Sequence, residues 1–291
     1  MYSRSKMYRK GMRIFIWALL ALTGWLHAEA LAQSGVQSEK LLTLWAGSLP
    51  IILSAPHGGR QAIPGVPLRQ GIGVAQFKAE RDNNTAELAE SIATKLGERL
   101  GGQPFLIVAL FERKYIDVNR PDSGAYETGA ARAYYRAFHS GIDDACKQVR
   151  SVWGRGLLLD IHGQGAEAEV IFRGTGNGRS VANLVQRFGH EAMKGRNSIF
   201  GQLALRGYRS LPDAGGNEVE TRYTGGYTTR TYGSHRGTGI DAIQLEFGTK
   251  LRARANLEKT AADVADAIAI FANEYLPANR TIIKPRLEAQ P

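Results

Sequence analysis

The chain has 291 residues, a formal net charge of +10 and a single cysteine, Cys146. One cysteine excludes an internal disulfide, so the protein must be stabilised by its core, and the length is sufficient for one domain. The sequence contains no run of lysines and arginines interleaved with aromatic residues, which argues against a nucleic-acid-binding protein.

The first 32 residues have the layout of a secretory signal peptide. Five basic residues, the last of them Arg13, precede an apolar run over 14–26, and small residues follow. The apolar run is short for a membrane span. We expect cleavage after Ala32, with Ala30 as the alternative, and an exported protein, periplasmic or secreted, without a membrane span. Removing five basic residues and one acidic residue lowers the net charge to +6.

Residues 40–280 are expected to form a single catalytic domain, and residues 281–291 a tail. Short apolar runs that end at polar or glycine turns predict four strands, at 49–55, 104–111, 156–163 and 242–247. Helical spacing of apolar residues predicts four helices, at 84–101, 129–153, 180–195 and 256–276. This alternation predicts an α/β fold with three layers, in which helices flank a mostly parallel or mixed central sheet of the phosphorylase/hydrolase-like kind.

The ends of the predicted strands carry polar residues that can bind a metal ion or take part in catalysis. In such sheets, ligands bind and catalytic residues lie beyond the carboxyl ends of the strands. Asp160 and His162 lie two residues apart on one strand and therefore face the same side. His57 follows another strand, and Glu246 lies on the polar side of the last one. Two histidines and a carboxylate, with one position open, are a usual ligand set for catalytic zinc.

Other polar residues suit the remaining parts of such a site. Glu80 and Asp82 lie just before a predicted helix and offer the third ligand. Glu246 is available to accept a proton from water and pass it to a leaving nitrogen. Asn119 and Arg120 follow the second strand, and the planar guanidinium of Arg120 suits a substrate carboxylate.

Six motifs resemble, in order, those of the N-formylglutamate amidohydrolase family, which is related to zinc carboxypeptidases and to poly-γ-glutamate hydrolases. They lie between about residue 50 and residue 250 and read "SAPHGG", "ERDNNTAELA", "YIDVNRP", "LLLDIHG", "GGYTTRTYG" and "AIQLEF". The resemblance implies one zinc ion bound by His57, an acid of "ERD" and His162. We prefer Asp82 to Glu80 because Asp82 lies at the same distance before the following helix as the acid of the related hydrolases. The acid position of the carboxypeptidases is Arg60 here, which leaves the third ligand open.

The same resemblance implies roles for the other motif residues. Glu246 matches the catalytic glutamate, and Asn119 with Arg120 matches the pair that holds a substrate carboxylate. Arg230 is expected to add a second clamp, and Tyr227, or alternatively Tyr232, is expected to line the pocket. For Asp160, the resemblance leaves two options, orienting a metal-bound imidazole or lying beside the site.

The sequence therefore predicts a zinc-dependent amidohydrolase that cleaves an amide next to a carboxylate. N-formylglutamate, other N-acyl glutamates, γ-glutamyl peptides and envelope peptides are the candidate substrates. The alternative is a non-catalytic envelope binding protein that retains the pocket. A metal-independent esterase is disfavoured because the Gly-x-Ser-x-Gly motif is missing. The sequence does not predict the oligomeric state.

Overall fold

Seven strands form one mixed sheet in the order β1-β3-β2-β4-β7-β5-β6. The computed structural model describes residues 40–213 and 218–277. The predicted signal peptide, its cleavage site and the tail over 281–291 lie outside these described residues. In the described part, no helix is both long enough and apolar enough to cross a membrane.

The centre of the sheet is parallel and its edges are not. Strands β3, β2, β4 and β7 run parallel, whereas β1 pairs antiparallel with β3 and β5 pairs antiparallel with β7. The strands are β1 Leu42–Trp45, β2 Ile51–Ala55, β3 Phe105–Ala109, β4 Gly156–Gly163, β5 Val170–Gly174, β6 Arg209–Leu211 and β7 Ile240–Phe247. The sheet is therefore mixed with a parallel core, as predicted.

Helices cover both faces of the sheet. They are α1 Thr85–Leu100, α2 Asp122–Ala125, α3 Arg132–Trp153, α4 Ala182–Phe188, α5 Glu191–Lys194, α6 Ile199–Leu205, α7 Tyr227–Tyr232 and α8 Arg254–Tyr275. Helices α1 and α8 pack side by side on one face, together with α6, and α3 packs on the other. The predicted three-layer α/β fold class is confirmed.

Alternation along the central strands separates two apolar cores. In β4, Leu157, Leu159 and Ile161 face the α1/α8 layer, and Leu158 faces the α3 layer. The α3 side of β4 then becomes polar at Asp160 and His162. Strand β7 behaves in the same way, because its α3 side is apolar at first and ends in Gln244 and Glu246. One face of the sheet thus changes from core to polar site at its carboxyl edge.

One local prediction was wrong. The segment 180–195 is not one helix, because Gly189, with a positive φ of 72°, ends α4 before α5 begins. Residues 112–121, which include the "YIDVNRP" motif, form an irregular loop after β3. This loop brings Asp117 and Asn119 to the polar edge of the sheet.

Candidate metal centre

Three side chains from distant segments converge at the carboxyl edge of the sheet. The Nδ1 atoms of His57 and His162 lie 3.4 and 3.3 Å from Oδ2 of Asp82. All three ligand atoms lie within 4.8 Å of one another, and all three residues are buried. We call these three residues the metal cluster. The structure therefore brings together the three residues that the sequence favoured as ligands.

Backbone packing explains why His57 precedes two glycines. His57 follows β2 and enters a turn that runs directly beneath the first turn of α1. A Cβ atom at Gly58 would lie 2.3 Å from the backbone nitrogen of Ala86, and one at Gly59 would lie 2.3 Å from the carbonyl carbon of Leu110. Because no side chain fits in either place, the turn can approach α1 and β3 only with glycine.

Asp82, rather than Glu80, belongs to the metal cluster. The Asp82 backbone N–H donates to the His57 carbonyl oxygen at 2.9 Å. Its carboxylate accepts a 3.0 Å hydrogen bond from the backbone N–H of Gly163, the residue after His162. Asp82 is thus tied to both histidine segments, whereas the Glu80 side chain is exposed at the rim.

Buried carboxylates hold the far side of each imidazole ring. Nε2 of His57 donates to Asp117 at 2.8 Å, and Nε2 of His162 donates to Asp160 at 2.9 Å. Ser54 in turn donates to Asp160 at 2.6 Å. With Nε2 of each ring directed to a carboxylate, Nδ1 is left for an ion. Asp160 therefore lies behind the ring of His162, in the orienting position.

The electrostatics of the cluster suit a bound cation. Burial opposes ionisation of Asp82, but the adjacent imidazole rings of His162 and His57 outweigh it and lower the pKa of the carboxyl. Burial likewise opposes a charged His162, yet the Asp160 carboxylate raises the pKa of that ring well above its ordinary value. The carboxylate of Asp82 is therefore ionised at neutral pH, as a ligand must be.

The distances and the unpaired nitrogen both fit a metal ion. Bonds of about 2.0–2.1 Å in a tetrahedral arrangement separate ligand atoms by about 3.3–3.4 Å, which matches the two histidine-to-Asp82 distances. Nδ1 of His57 is buried and has no hydrogen-bond partner among the described residues. A buried nitrogen lone pair without a donor is unfavourable, and an ion would satisfy it.

Glu246 lies directly beside the metal cluster. In the parallel pairing of β4 with β7, His162 is opposite Glu246 and Asp160 is opposite Gln244. The Glu246 carboxylate accepts a 2.8 Å hydrogen bond from Gln244 and lines the same cavity as His57 and His162. Burial raises the pKa of Glu246, and the charge of His162 partly opposes this. A carboxyl with a raised pKa is suited to accept and return a proton near neutral pH.

The cluster opens into a cavity of about 760 Å³, which we call the central cavity. Asn119 and Arg120 both line it, as predicted. However, each of the three nitrogens of the Arg120 guanidinium already donates to the protein: Nε to Asp117 at 3.1 Å, Nη1 to the Ala75 carbonyl at 2.9 Å, and Nη2 to the Gln76 carbonyl. Arg120 therefore fixes the 75–76 loop and leaves no free fork for a substrate carboxylate.

Asn119 is a structural link as well as a cavity residue. Its Oδ1 accepts a 2.8 Å hydrogen bond from the backbone N–H of Thr228, and its Nδ2 lies 3.2 Å from Nε2 of His162. A Cβ atom at Gly226 would lie 2.1 Å from Nδ2 of Asn119, so only glycine allows this approach. Asn119 thus ties the loop after β3 to the start of α7 and lies beside His162.

Arg230 and Tyr227 lie elsewhere. Neither lines the central cavity within the described part of the chain. Arg230 is exposed and borders a separate cavity of about 300 Å³, and the Tyr227 ring contacts the ring of His139 with centroids 5.5 Å apart. Because α7 directs these two side chains away from the metal cluster, the structure does not support their predicted roles in the pocket.

Asp117 is the main site residue that the sequence did not assign. It is fully buried, and it accepts hydrogen bonds from His57, Arg113 and Arg120. Burial opposes its ionisation, but the charge of His57 and of Arg113 holds its pKa well below the ordinary value. Its position two residues before Asn119, in the "YIDVNRP" motif, was the available signal.

We expect Asp117→Asn to destabilise the protein and to weaken metal binding. Removing the charge leaves Arg113 and Arg120 uncompensated at a buried site; since their side chains keep 16% and 22% exposure, we expect a loss of about 2–4 kcal/mol. Loss of a partner behind a ligand typically weakens metal binding about 10- to 100-fold. Thermal unfolding and metal titration measure both effects. Asp143→Asn, which removes an exposed partner of Lys147, is the control and should change neither.

Comparison with known proteins supports the resemblance found in the motifs. A family model described as N-formylglutamate amidohydrolase matches residues 128–252. The match includes His162 and Glu246, whereas His57 and Asp82 lie before it. A search of curated proteins found no match.

Two solved structures share the fold. The crystal structure of N-formylglutamate amidohydrolase from Ralstonia eutropha JMP134 is similar with a TM-score of 0.55 and 16% identity, over 80% of this chain and 98% of that one. Gene product Atu2144 from Agrobacterium tumefaciens is similar with a TM-score of 0.51 and 15% identity, over 81% of this chain and 94% of that one. The resemblance to the N-formylglutamate amidohydrolase family is thus confirmed, in sequence over residues 128–252 and in fold over most of the chain.

Proposed function

We propose that this protein is a zinc-dependent amidohydrolase that cleaves an amide bond next to a carboxylate, in an exported mature chain. The observation that carries the proposal is the convergence of His57, Asp82 and His162 in one cavity with the buried carboxylate of Glu246. N-acyl glutamates, with N-formyl-L-glutamate first, are the substrates to test, and γ-glutamyl or envelope peptides come next. The family match and the shared fold support this choice.

His57, Asp82 and His162 would hold the ion. When bound, a divalent ion of this kind polarises a carbonyl group and lowers the pKa of water. Asp117 and Asp160 keep the two imidazole rings in place and fix the tautomer that presents Nδ1. The protein therefore supplies a rigid ligand set whose geometry is fixed before substrate binds.

Glu246 would perform the proton transfers. Its carboxylate accepts the proton of the attacking water, and the resulting carboxylic acid then donates this proton to the amide nitrogen as the C–N bond breaks. The amine leaves neutral, the new carboxyl group retains the water oxygen, and Glu246 returns to its ionised form. Burial beside His162 keeps the carboxyl in place and raises its pKa toward that of a useful base.

The test is hydrolysis of N-formyl-L-glutamate by the purified full-length protein. We expect release of formate and glutamate, loss of this activity after chelation, and its recovery when one equivalent of Zn²⁺ is added back. Restoration by Zn²⁺ after dialysis identifies the ion as a catalytic component. A metal-loaded protein that binds these substrates without cleaving any of them would instead support the binding-protein alternative.

A further inference from the structure

Four arginines line the central cavity, and three of them are committed to the protein itself. The four are Arg81, Arg113, Arg120 and Arg252. Arg113 donates through Nε and Nη2 to Asp117 at 2.9 and 2.8 Å. Arg120 is held by Asp117 and by two carbonyl groups of the 75–76 loop, as described above. These two arginines therefore serve to build the wall of the cavity.

Arg252 has a similar structural task. Its guanidinium donates only to backbone carbonyl oxygens, those of Phe247, Asn83 and Gln164. It is 8% exposed and joins the end of β7 to the loops after β4 and before α1. Burial lowers its pKa, with the charges of Asp82 and Glu246 opposing. With all three guanidinium nitrogens already directed to the backbone, Arg252 is held in place as part of the cavity wall.

Arg81 differs from the other three. Its Nη1 is buried and has no hydrogen-bond partner within 40–213 and 218–277, and its guanidinium makes no ion pair with a described residue. A buried guanidinium N–H without an acceptor is unfavourable, and a bound anion would supply the acceptor. Arg81 is also the chain neighbour of Asp82, so its side chain and the metal cluster border the same cavity.

The charges that line the cavity favour an anion at this point. Lys78 and the four arginines contribute five cationic side chains, whereas Glu80, Asp82 and Glu246 are the acidic side chains of the lining. Of these acids, Asp82 is directed to the metal cluster and Glu246 accepts from Gln244. A divalent ion would add further positive charge. Lys78 is exposed to solvent, so the uncommitted cationic group that is partly buried is the Arg81 guanidinium.

We infer that Arg81 forms a carboxylate-binding subsite of the central cavity, and that it, not Arg120, holds the acidic group of the ligand. A planar guanidinium with free N–H groups matches a planar carboxylate through two parallel hydrogen bonds. The identification of that carboxylate as part of a substrate rests on the proposed function. The subsite itself rests on the free guanidinium.

Equilibrium binding tests this inference without requiring turnover. The probes are glutarate and its uncharged diamide, glutaramide, titrated by calorimetry into the full-length protein, both metal-loaded and chelator-treated. We expect the parent to prefer glutarate and Arg81→Met to bind it about 10- to 100-fold more weakly, because a charge-assisted pair is lost. Arg81→Lys should recover part of this affinity, since it keeps the charge and loses the fork.

Arg136→Met is the matched control, because Arg136 is an exposed residue of α3 that does not line the cavity. Its glutarate affinity should stay within about twofold of the parent, and so should glutaramide binding in every variant. Equal melting temperatures and metal contents show that Arg81→Met is folded with its cluster intact; if it is not, Arg81→Lys carries the test. The inference is overturned if the parent does not bind glutarate, or if the Arg81 variants bind it as the parent does.

The same data separate this inference from the proposed reaction. If no N-acyl glutamate is cleaved and Arg81→Met still loses glutarate binding, the subsite stands and the proposed hydrolysis fails. If hydrolysis is observed and Arg81→Met leaves glutarate binding unchanged, the reaction stands and the assignment of Arg81 is wrong.

Discussion

Replacing either histidine of the metal cluster with alanine should abolish stoichiometric binding of a divalent ion. Both Nδ1 atoms lie 3.3–3.4 Å from Oδ2 of Asp82, a spacing that lets one ion contact all three, so a site with two ligands left should bind more than about 100-fold more weakly. Hydrolytic activity should disappear with the ion. Elemental analysis of the purified variants, combined with zinc titration, measures the effect directly.

Variants of two residues outside the metal cluster serve as controls for this prediction. His190 is an exposed histidine outside the cluster, and His190→Ala should bind metal like the parent. Asp82→Ala should weaken binding much more than Glu80→Ala, because only Asp82 reaches both imidazole rings. Full metal occupancy in the His162→Ala protein would show that the ion is bound elsewhere.

Replacing Glu246 with glutamine should remove turnover while leaving metal and ligand binding nearly intact. Glutamine keeps the shape and can still accept a hydrogen bond from Gln244, but its amide cannot accept the proton of water. General acid–base catalysis contributes about 100- to 10,000-fold, and we expect a decrease of kcat in that range. Steady-state kinetics on N-formyl-L-glutamate, with metal content measured on the same samples, test this.

The pH profile provides a second measurement of the same residue. Burial raises the pKa of Glu246, and the base must be deprotonated to act. Parental kcat/KM should therefore fall as the pH drops through a value above that of an ordinary glutamate. The residual rate of Glu246→Gln should lack this dependence. Glu258→Gln, a change at an exposed site on α8, should keep the parental rate and profile. A stable, metal-loaded Glu246→Gln protein with near-parental turnover would exclude Glu246 as the base.

The central part of the fold could be predicted because it follows from local patterns. Strands β2, β3, β4 and β7 are apolar runs with clear ends, and long helices such as α1 and α8 have strong periodicity. The edge strands β1 and β6 have only four and three residues, so their sequences give little periodic signal. Asn84 immediately precedes α1 and is of a type that often caps helices, but its side chain makes no capping hydrogen bond and donates to the Arg252 carbonyl instead.

The site was predictable where it depended on strand ends and was not where it depended on long-range hydrogen bonds. His57, His162 and Glu246 meet because parallel strands end at the same edge, which a sequence pattern can indicate. The sequence pattern could not indicate which arginine of the cavity has a guanidinium without a protein partner. The Arg120 guanidinium donates to the carbonyl groups of Ala75 and Gln76, which lie 45 and 44 residues before it in the chain. The sequence around Arg120 does not indicate this contact.

The three cluster ligands reach one point only through the pairing of β2 with β4 and the docking of α1 on the sheet. An ion bound by these ligands should therefore differ from the zinc of a zinc finger, where neighbouring ligands organise a short segment. We expect non-local strand pairing to come first and capture of the ion to follow. A metal that binds only the finished fold shifts the folding equilibrium toward it by mass action. Newly made chains deprived of the ion should thus reach the same architecture and mature into the holoprotein once it is supplied.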